Sequence, residues 1–148
     1  MDLVHECTFH ADLSDPLVAG NGPAGTRMVI PVAGGWVKGS RLNATVVGPC
    51  GDWALLGADG FARLDVRGQL RTDDGAVVYV SYAGLLELNE AVQAALAGGS
   101  TEYGQQYFRT TPRFETGDER YLWLNTAVFV GQGRLMPGAV EYEIYRVT

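Results

Sequence analysis

The pairing of an acid with the largest aromatic side chain, in Asp52-Trp53, is the sequence feature that best suits acid–base chemistry. The pair stands at the start of a predicted strand, directly after Pro49-Cys50-Gly51. An apolar wall can raise the pKa of a carboxyl group into the range that is useful for proton transfer. A turn aspartate that accepts hydrogen bonds from backbone amides is the alternative. We predict Asp52 as the first catalytic candidate.

Two further carboxylates are weaker catalytic candidates. Asp65 shares its strand parity with Arg63 and Arg67, and these residues form a site, with Arg67 as a ligand contact, only if that face points into the fold. A solvated ion pair is the alternative, and pairing with either arginine would lower the pKa of Asp65 and make it a poor base near neutral pH. Glu115 is a candidate general base, although an exposed loop acid is the commoner case.

Arginine, aromatic and amide side chains supply the predicted ligand contacts. Arg27 begins a strand directly after a glycine-rich segment, where its guanidinium can bind a carboxylate or phenolate of a substrate or else pair on the surface. Aromatic rings shape a cavity, and an amide can donate to a carbonyl group. A packed core with one satisfied amide would use the same residues. The predicted cavity wall comprises Trp53, Tyr82, Phe114, Trp123 and Asn125.

Three patterns that suggest cofactor or nucleophile sites lack the context they require. Residues 20–25 have the glycine spacing of a dinucleotide-binding loop, but a β-like segment follows where a helix is needed, so we interpret them as a flexible loop. His5 and Cys7 share one strand face, yet His10 has the opposite parity and no carboxylate pair is nearby. No Gly-x-Ser-x-Gly motif occurs. We predict no metal and no cofactor.

These residues must be positioned by short segments in which apolar and polar side chains alternate with a period of two. One segment, 89–97, instead has an N-cap asparagine, an alanine-rich interior and a Gly-Gly stop, which predicts a single short helix. We predict an all-β fold, a mostly antiparallel, closed or nearly closed barrel of calycin type with a central ligand cavity; a two-sheet sandwich is the alternative. The predicted strands are 3–12, 26–32, 36–39, 42–47, 53–56, 61–72, 76–82, 107–111, 121–130 and 139–147, and Gly34-Gly35 suggests a tight turn.

The predicted strand Tyr121–Val130 is apolar on both faces. One parity carries aromatic rings with polar tips, which suits a ligand cavity. The other parity is aliphatic and suits packing against the helix, another sheet or a second subunit. A helix of nine residues covers little of such a face, so we expect a homodimer.

The composition limits the classes of partner. A length of 148 residues suits one domain that spans the whole chain. The 11 basic and 17 acidic residues give a net charge of −6, whereas nucleic-acid binders need basic side chains to displace counterions. No apolar stretch approaches the roughly 18 residues of a membrane span, and the first residues lack the pattern of a signal peptide. We expect a cytoplasmic protein with a small-molecule ligand, no nucleic acid and no membrane partner.

An ordered set of short motifs resembles the DUF3237 family, also called the UPF0311 proteins. The motifs include Gly51-Asp52-Trp53, Leu64-Asp65-Val66-Arg67, Tyr107-Phe108-Arg109-Thr110, Phe114-Glu115-Thr116-Gly117 and Tyr121-Leu122-Trp123-Leu124-Asn125, and they extend over almost the whole chain. The resemblance implies a small, mostly antiparallel β-barrel, commonly encoded near small-molecule metabolism, without a settled activity or agreed catalytic residues. We add Arg109, which lies in one of these motifs, to the predicted ligand contacts.

Three functions fit these observations. The first is a cofactor-independent cyclase, isomerase or lyase that moves a proton on an aromatic or polyketide-like carbonyl compound. The second is a non-catalytic protein that binds the same compounds, and the third is a structural or partner-binding subunit with a filled barrel. A cavity above roughly 300 Å³ that holds a carboxylate favours the first, a wholly apolar cavity the second, and no cavity the third.

Overall fold

The computed structural model describes residues 1–148 as nine strands, one α-helix and one 3-10 helix. Helix α1 (Glu90–Leu96) lies between the sixth and seventh strands, and the 3-10 helix (Glu119–Thr126) lies between the seventh and eighth. The strands are β1 (Leu3–Leu13), β2 (Leu17–Gly22), β3 (Gly25–Gly39), β4 (Ala44–Leu56), β5 (Phe61–Thr72), β6 (Val77–Glu87), β7 (Phe108–Glu115), β8 (Val128–Met136) and β9 (Ala139–Val147).

Eight of the nine strands form a closed antiparallel barrel, which confirms the predicted fold class. The neighbours follow the order β1-β9-β8-β7-β6-β5-β4-β3, and β1 pairs with β3 to complete the ring. Strand β2 lies outside the ring and forms a hairpin with the first half of β3. Closure gives each barrel strand a neighbour on both sides and so removes the open edges of a flat sheet.

Strand β3 changes one of its neighbours at Gly34-Gly35, and this bend lets the barrel close. Before the bend β3 pairs with β2 and β4, and after it β3 pairs with β1 and β4. The predicted tight turn at the glycine pair is wrong, because one continuous strand runs through it. Gly35 has a φ of 144°, and a Cβ there would collide with the carbonyl oxygen of His10 on β1. Glycine alone permits both this backbone conformation and this close approach.

Side chains on the barrel strands alternate between a packed interior and an exposed exterior. Strand β5 shows the pattern clearly: Ala62, Leu64 and Val66 are buried, whereas Arg63 and Asp65, which alternate with them, are exposed. All eight barrel strands and both helices contribute to one core of 27 buried residues. The inner faces of the strands therefore form a single lumen.

The 3-10 helix closes one end of this lumen, where the sequence analysis places the start of a strand over Tyr121–Val130. That prediction is wrong up to residue 127, because β8 begins only at Val128. Tyr121 and Leu124 are the buried residues of the helix, and their spacing of three matches a 3-10 turn rather than a strand. The expected homodimer loses its support, since it rested on a continuous aliphatic strand face.

Helix α1 lies at the opposite end of the lumen, and it matches the predicted helix. The side chain of Asn89 accepts a hydrogen bond from the backbone N–H of Val92 at 3.0 Å, as an N-cap does. Val92 and Ala95 are buried against the barrel, whereas Leu96 is exposed. Neither helix is long and apolar enough to cross a membrane.

We expect Gly35→Ala to lower the free energy of unfolding by about 2–4 kcal/mol, because the added Cβ forces β3 away from β1 where the barrel closes. Urea unfolding followed by tryptophan fluorescence measures this change. Gly117→Ala is the control, since no heavy atom lies within 4 Å of the position of its Cβ, and we expect a change below about 0.5 kcal/mol. An equal loss in both variants would contradict the role assigned to Gly35.

Candidate functional site

A cavity of about 140 Å³ occupies the half of the lumen next to α1. Of the 19 residues that line it, 18 are hydrophobic or aromatic, and the remaining one is Asp52. Two of the aromatic residues, Tyr82 and Tyr142, bring hydroxyl groups. The cavity therefore combines apolar walls with one carboxylate and two phenols, and it has no basic side chain.

Asp52 enters this cavity from β4 at an interruption of the β4–β5 ladder. The paired positions pass from Asp52–Val66 to Leu55–Arg63 with none between them. At this interruption the Oδ1 atom of Asp52 accepts a hydrogen bond from the backbone N–H of Asp65 at 2.9 Å. The second oxygen, Oδ2, forms no hydrogen bond within the protein. One oxygen is thus held by the backbone, and the other is left for a ligand.

Burial raises the pKa of Asp52 from its ordinary value of 3.8 to about 6, which the hydrogen bond from the Asp65 backbone offsets only in part. Asp52 is 9% exposed, whereas the neighbouring Trp53 is 42% exposed on the outer face of β4. Adjacent residues of a strand point to opposite faces. Asp52 is therefore desolvated by the apolar side chains of the lumen, and the prediction that the Trp53 ring desolvates it is wrong. A carboxyl group with this pKa exchanges protons near neutral pH.

Tyr82 from β6 and Tyr142 from β9 form a hydrogen-bonded pair in the lumen. The Tyr82 hydroxyl donates to the Tyr142 hydroxyl at 3.3 Å, and the two rings meet edge to face with centroids 5.4 Å apart. Burial raises the pKa of both phenols, and the charge of Asp52 acts in the same direction. The phenols are therefore neutral donors at neutral pH. The Tyr142 proton has no acceptor in the protein, so it is free to bond a ligand.

Tyr142 is the site residue that the sequence analysis misses. Val140, Tyr142 and Ile144 share one parity of β9, and all three are buried. A tyrosine between two aliphatic residues of the same parity was the available signal, because it places a hydroxyl on an inward face. Phe108 also lines the cavity and packs edge-on against Tyr142 with centroids 5.3 Å apart.

The predicted arginine contacts lie outside the cavity. Arg27 donates from Nη1 to the backbone carbonyl of Trp53 at 2.9 Å, and the Arg67 guanidinium lies 5.9 Å from the centre of the Trp53 ring. Arg109 donates to the backbone carbonyl of Phe108 at 3.0 Å. None of the three lines the cavity, so the lumen offers no counter-charge to an anion.

Asp65 also lies outside the cavity, on the exposed face of β5. Its predicted partner Arg63 instead pairs with Asp59, with 2.6 Å between Nη2 and Oδ2. The Asp65 side chain is therefore a surface group. Its backbone N–H, through the hydrogen bond to Asp52, is the part that touches the candidate site.

Phe114, Glu115 and Asn125 line a different space, an outer groove of about 820 Å³ between β7 and β8. These two strands pair at only two positions and then separate. The Asn125 amide both donates to and accepts from the backbone of Thr116, each at 2.9 Å, which is the satisfied structural role given above as the alternative. The groove is larger than the lumen cavity, but its carboxylate, Glu115, is exposed and stays hydrated.

Trp123 belongs to the closed end of the barrel. The guanidinium of Arg41 lies 3.6 Å from the centre of its ring, and Arg41 in turn pairs with the buried Glu6 at 2.6 Å. Trp123 does not line the cavity beside Asp52. The sequence-predicted residues thus divide among four places: the cavity, the outer face, the groove between β7 and β8, and the closed end. The cavity receives two of them, Asp52 and Tyr82.

No group of three or more His, Cys, Asp or Glu side chains is arranged to hold a metal ion. The segment 20–25, interpreted above as a flexible loop, instead forms the end of β2, the start of β3 and the turn between them.

Comparison with protein families and curated proteins agrees with the resemblance described above. A family model described as "Protein of unknown function (DUF3237)" matches residues 1–147. A UPF0311 protein from Rhodopseudomonas palustris strain TIE-1 is 34% identical over 141 residues, which cover 95% of this chain and 92% of the relative. These matches confirm the family resemblance.

Two solved structures share the fold. A conserved protein of unknown function from Rhodopseudomonas palustris has a TM-score of 0.93 and 32% sequence identity, with 99% of this chain and 97% of that chain covered. An enzyme from Penicillium herquei has a TM-score of 0.69 and 21% identity, with 100% and 96% covered. At that identity the likeness to the enzyme shows the fold alone.

We expect Asp52→Asn to raise the free energy of unfolding at pH 8 by about 1–3 kcal/mol and to change it little at pH 4. The pKa of Asp52 is higher in the folded chain than the ordinary value, so its contribution to stability is complete below about pH 4 and is lost as the pH rises through 6. Urea unfolding at the two pH values measures the difference.

Asp65→Asn is the matched control for this measurement, because Asp65 is exposed on the outer face of the neighbouring strand. We expect its effect on the free energy of unfolding to lie within about 0.5 kcal/mol at both pH values. A stability gain from Asp52→Asn that is the same at pH 4 and pH 8 would contradict the buried, ionised carboxylate.

Proposed function

This chain belongs to the DUF3237 family, and we propose that it binds a small carbonyl compound in the barrel cavity and moves a proton on that compound with Asp52. One observation carries the proposal. A single buried carboxyl group with a pKa of about 6 lies in an otherwise apolar cavity, beside a tyrosine hydroxyl that has no acceptor in the protein. A base and an oxyanion donor in one apolar cavity are the parts that proton transfer next to a carbonyl group requires.

The first step uses the acceptor of Asp52 and the donor of Tyr142 that have no hydrogen-bond partner in the protein. The Tyr142 hydroxyl donates to the carbonyl oxygen of the ligand, and the Oδ2 of Asp52 removes a proton from the carbon next to that carbonyl. The electron pair of the broken C–H bond moves onto the carbonyl oxygen as an enolate. Tyr82, which donates to Tyr142, strengthens the Tyr142 hydrogen bond to that oxygen. An aspartate base with tyrosine donors performs this type of step in other folds.

The second step returns the proton and decides the reaction class. Asp52 now carries the proton, and when the enolate is conjugated with a C=C bond, delivery of the proton to the far carbon of that bond gives an isomer. Attack of the enolate on a second carbonyl or enone of the same molecule gives a ring, and Asp52 protonates the group that was attacked. Loss of a leaving group from the enolate gives an elimination, and Asp52 protonates the leaving group. In each case the electron pair stays with the substrate and its leaving group, so the proposal requires no cofactor.

A non-catalytic binding protein is the second candidate function. The cavity of about 140 Å³ is smaller than the roughly 300 Å³ that we associate with the enzyme, and 18 of its 19 lining residues are hydrophobic or aromatic. These properties suit ligand retention. The carboxylate favours the enzyme, since a neutral amide or hydroxyl could accept a hydrogen bond from a ligand without the cost of a buried ionisable group.

We expect Asp52→Asn to reduce turnover by on the order of a hundredfold or more and to change ligand affinity only a few-fold, because the amide keeps the shape and loses the base. Mass spectrometry of compounds retained on the purified native protein identifies the ligand class, and a turnover assay on that class follows. Asp65→Asn, on the outer face, is the control and should keep full turnover. Full turnover in both variants would favour the binding protein.

The pH profile of the wild-type enzyme is a separate check. The base in the first step is the ionised form of Asp52, so kcat/KM, which reports the free enzyme, should rise with pH through about 6 and reach a plateau above it. Steady-state rates between pH 4.5 and 8.5 measure the profile. A rate that falls as the pH rises through 6 would instead require Asp52 to act first as an acid.

A further inference from the structure

We propose that the cavity selects uncharged compounds of about one six-membered ring that carry a single oxygen function, such as a cyclic enone or a phenol, and rejects carboxylates. This inference rests on the proposed function in that it takes the lumen as the ligand site. It narrows the polyketide-like compounds that the sequence analysis allows.

Charge is the first constraint on the ligand. The ionisable side chains that line the cavity are Asp52, Tyr82 and Tyr142, and no lysine, arginine or histidine is among them. A carboxylate or phosphate would lose its hydration beside Asp52 without gaining a counter-charge, which is strongly unfavourable. Arg27 and Arg67, the cations predicted to receive an anion, are held on the outer surface at Trp53.

Size is the second constraint. The cavity of about 140 Å³ is close to the roughly 150 Å³ of an engineered apolar cavity that binds benzene. Ala54 and Ala62 leave this space because they are the small inward residues of β4 and β5, and both are buried. A second fused ring would have to displace the leucine and valine side chains of a packed barrel, which costs free energy.

Hydrogen bonding is the third constraint. The Oδ2 of Asp52 has no donor and the Tyr142 hydroxyl has no acceptor in the protein. One hydroxyl group of a ligand can donate to Oδ2 and accept from Tyr142, and one carbonyl group can accept from Tyr142. A hydrocarbon would leave both groups unpaired, and a second polar group would face apolar walls.

The test compares four probes on the wild-type protein: phenol, 2-cyclohexenone, benzoate and 1-naphthol. Dissociation constants come from chemical-shift changes of isoleucine, leucine and valine methyl groups, which need no turnover. We expect phenol and cyclohexenone to bind at least tenfold more tightly than benzoate and 1-naphthol. Benzoate or naphthol binding within threefold of phenol would overturn the inference.

Two variants place the binding in the cavity. Ala62→Leu fills the space and should weaken phenol binding at least tenfold, whereas Ala83→Leu, on the exposed face of β6, should leave it unchanged. Leu64→Ala enlarges the cavity and should bring the affinity for 1-naphthol close to that for phenol. Equal phenol binding by the wild-type protein and a fully folded Ala62→Leu variant would overturn the inference.

The binding test separates this inference from the proposed function. Selective binding of phenol and cyclohexenone without turnover of any one-ring enone supports the ligand class and counts against the enzyme. Turnover of a charged or two-ring compound that Asp52→Asn abolishes would support the enzyme and overturn the ligand class.

Discussion

Closure of the barrel through the pairing of β1 with β3 is the constraint on which the rest of the structure depends. The first half of β3 pairs with β2, and only its second half, around and after Gly34-Gly35, pairs with β1. Glu6 lies in β1 beside this seam, is buried, and accepts hydrogen bonds from Arg41 and Arg146 at 2.6 and 2.7 Å. Burial alone would raise the pKa of Glu6, but the two arginines lower it below its ordinary value. Charge-assisted hydrogen bonds thus connect β1 to the segment after β3 on one side and to β9 on the other.

A closed ring creates a lumen, and the sizes of the inward side chains decide which part of it stays empty. Near the 3-10 helix the inward residues are large: Phe114 and Phe129 pack edge to face with centroids 5.1 Å apart, and Leu124 fills the end. Near α1 the inward positions of β4 and β5 include Ala54 and Ala62. The cavity therefore lies at one end, and Asp52, which shares the inward parity of β4 with Ala54, lies at the same end.

The fold was largely predictable from the sequence, because strand alternation, glycine turns and the Asn89 cap are local signals. The site was predictable only in part. Alternation divides β5 into two faces, but it does not tell which face points inward. Asp65 and Arg67 were therefore candidates from the sequence, and the barrel places both of them on its exposed face. The strand predicted from Tyr121 onward was wrong because the segment alternates with a period of two, as a strand does, whereas the 3-10 helix buries residues three apart. Tyr142 was missed because an inward tyrosine between aliphatic residues has the same local pattern whether its hydroxyl faces a cavity or a filled core.

The energetics of Asp52 differ from those of the other buried carboxylates of the barrel. Most buried carboxylates are paired, as Glu6 is with two arginines, and pairing lowers the pKa and returns part of the cost of burial. Asp52 has no cation beside it, keeps one oxygen free, and has a pKa raised to about 6. An asparagine or a leucine at this position would remove the cost of an ionised group in the core. A carboxylate that opposes the stability of its own barrel is typical of a site where a proton must be held and released, because the same desolvation that destabilises the fold moves the pKa into the working range.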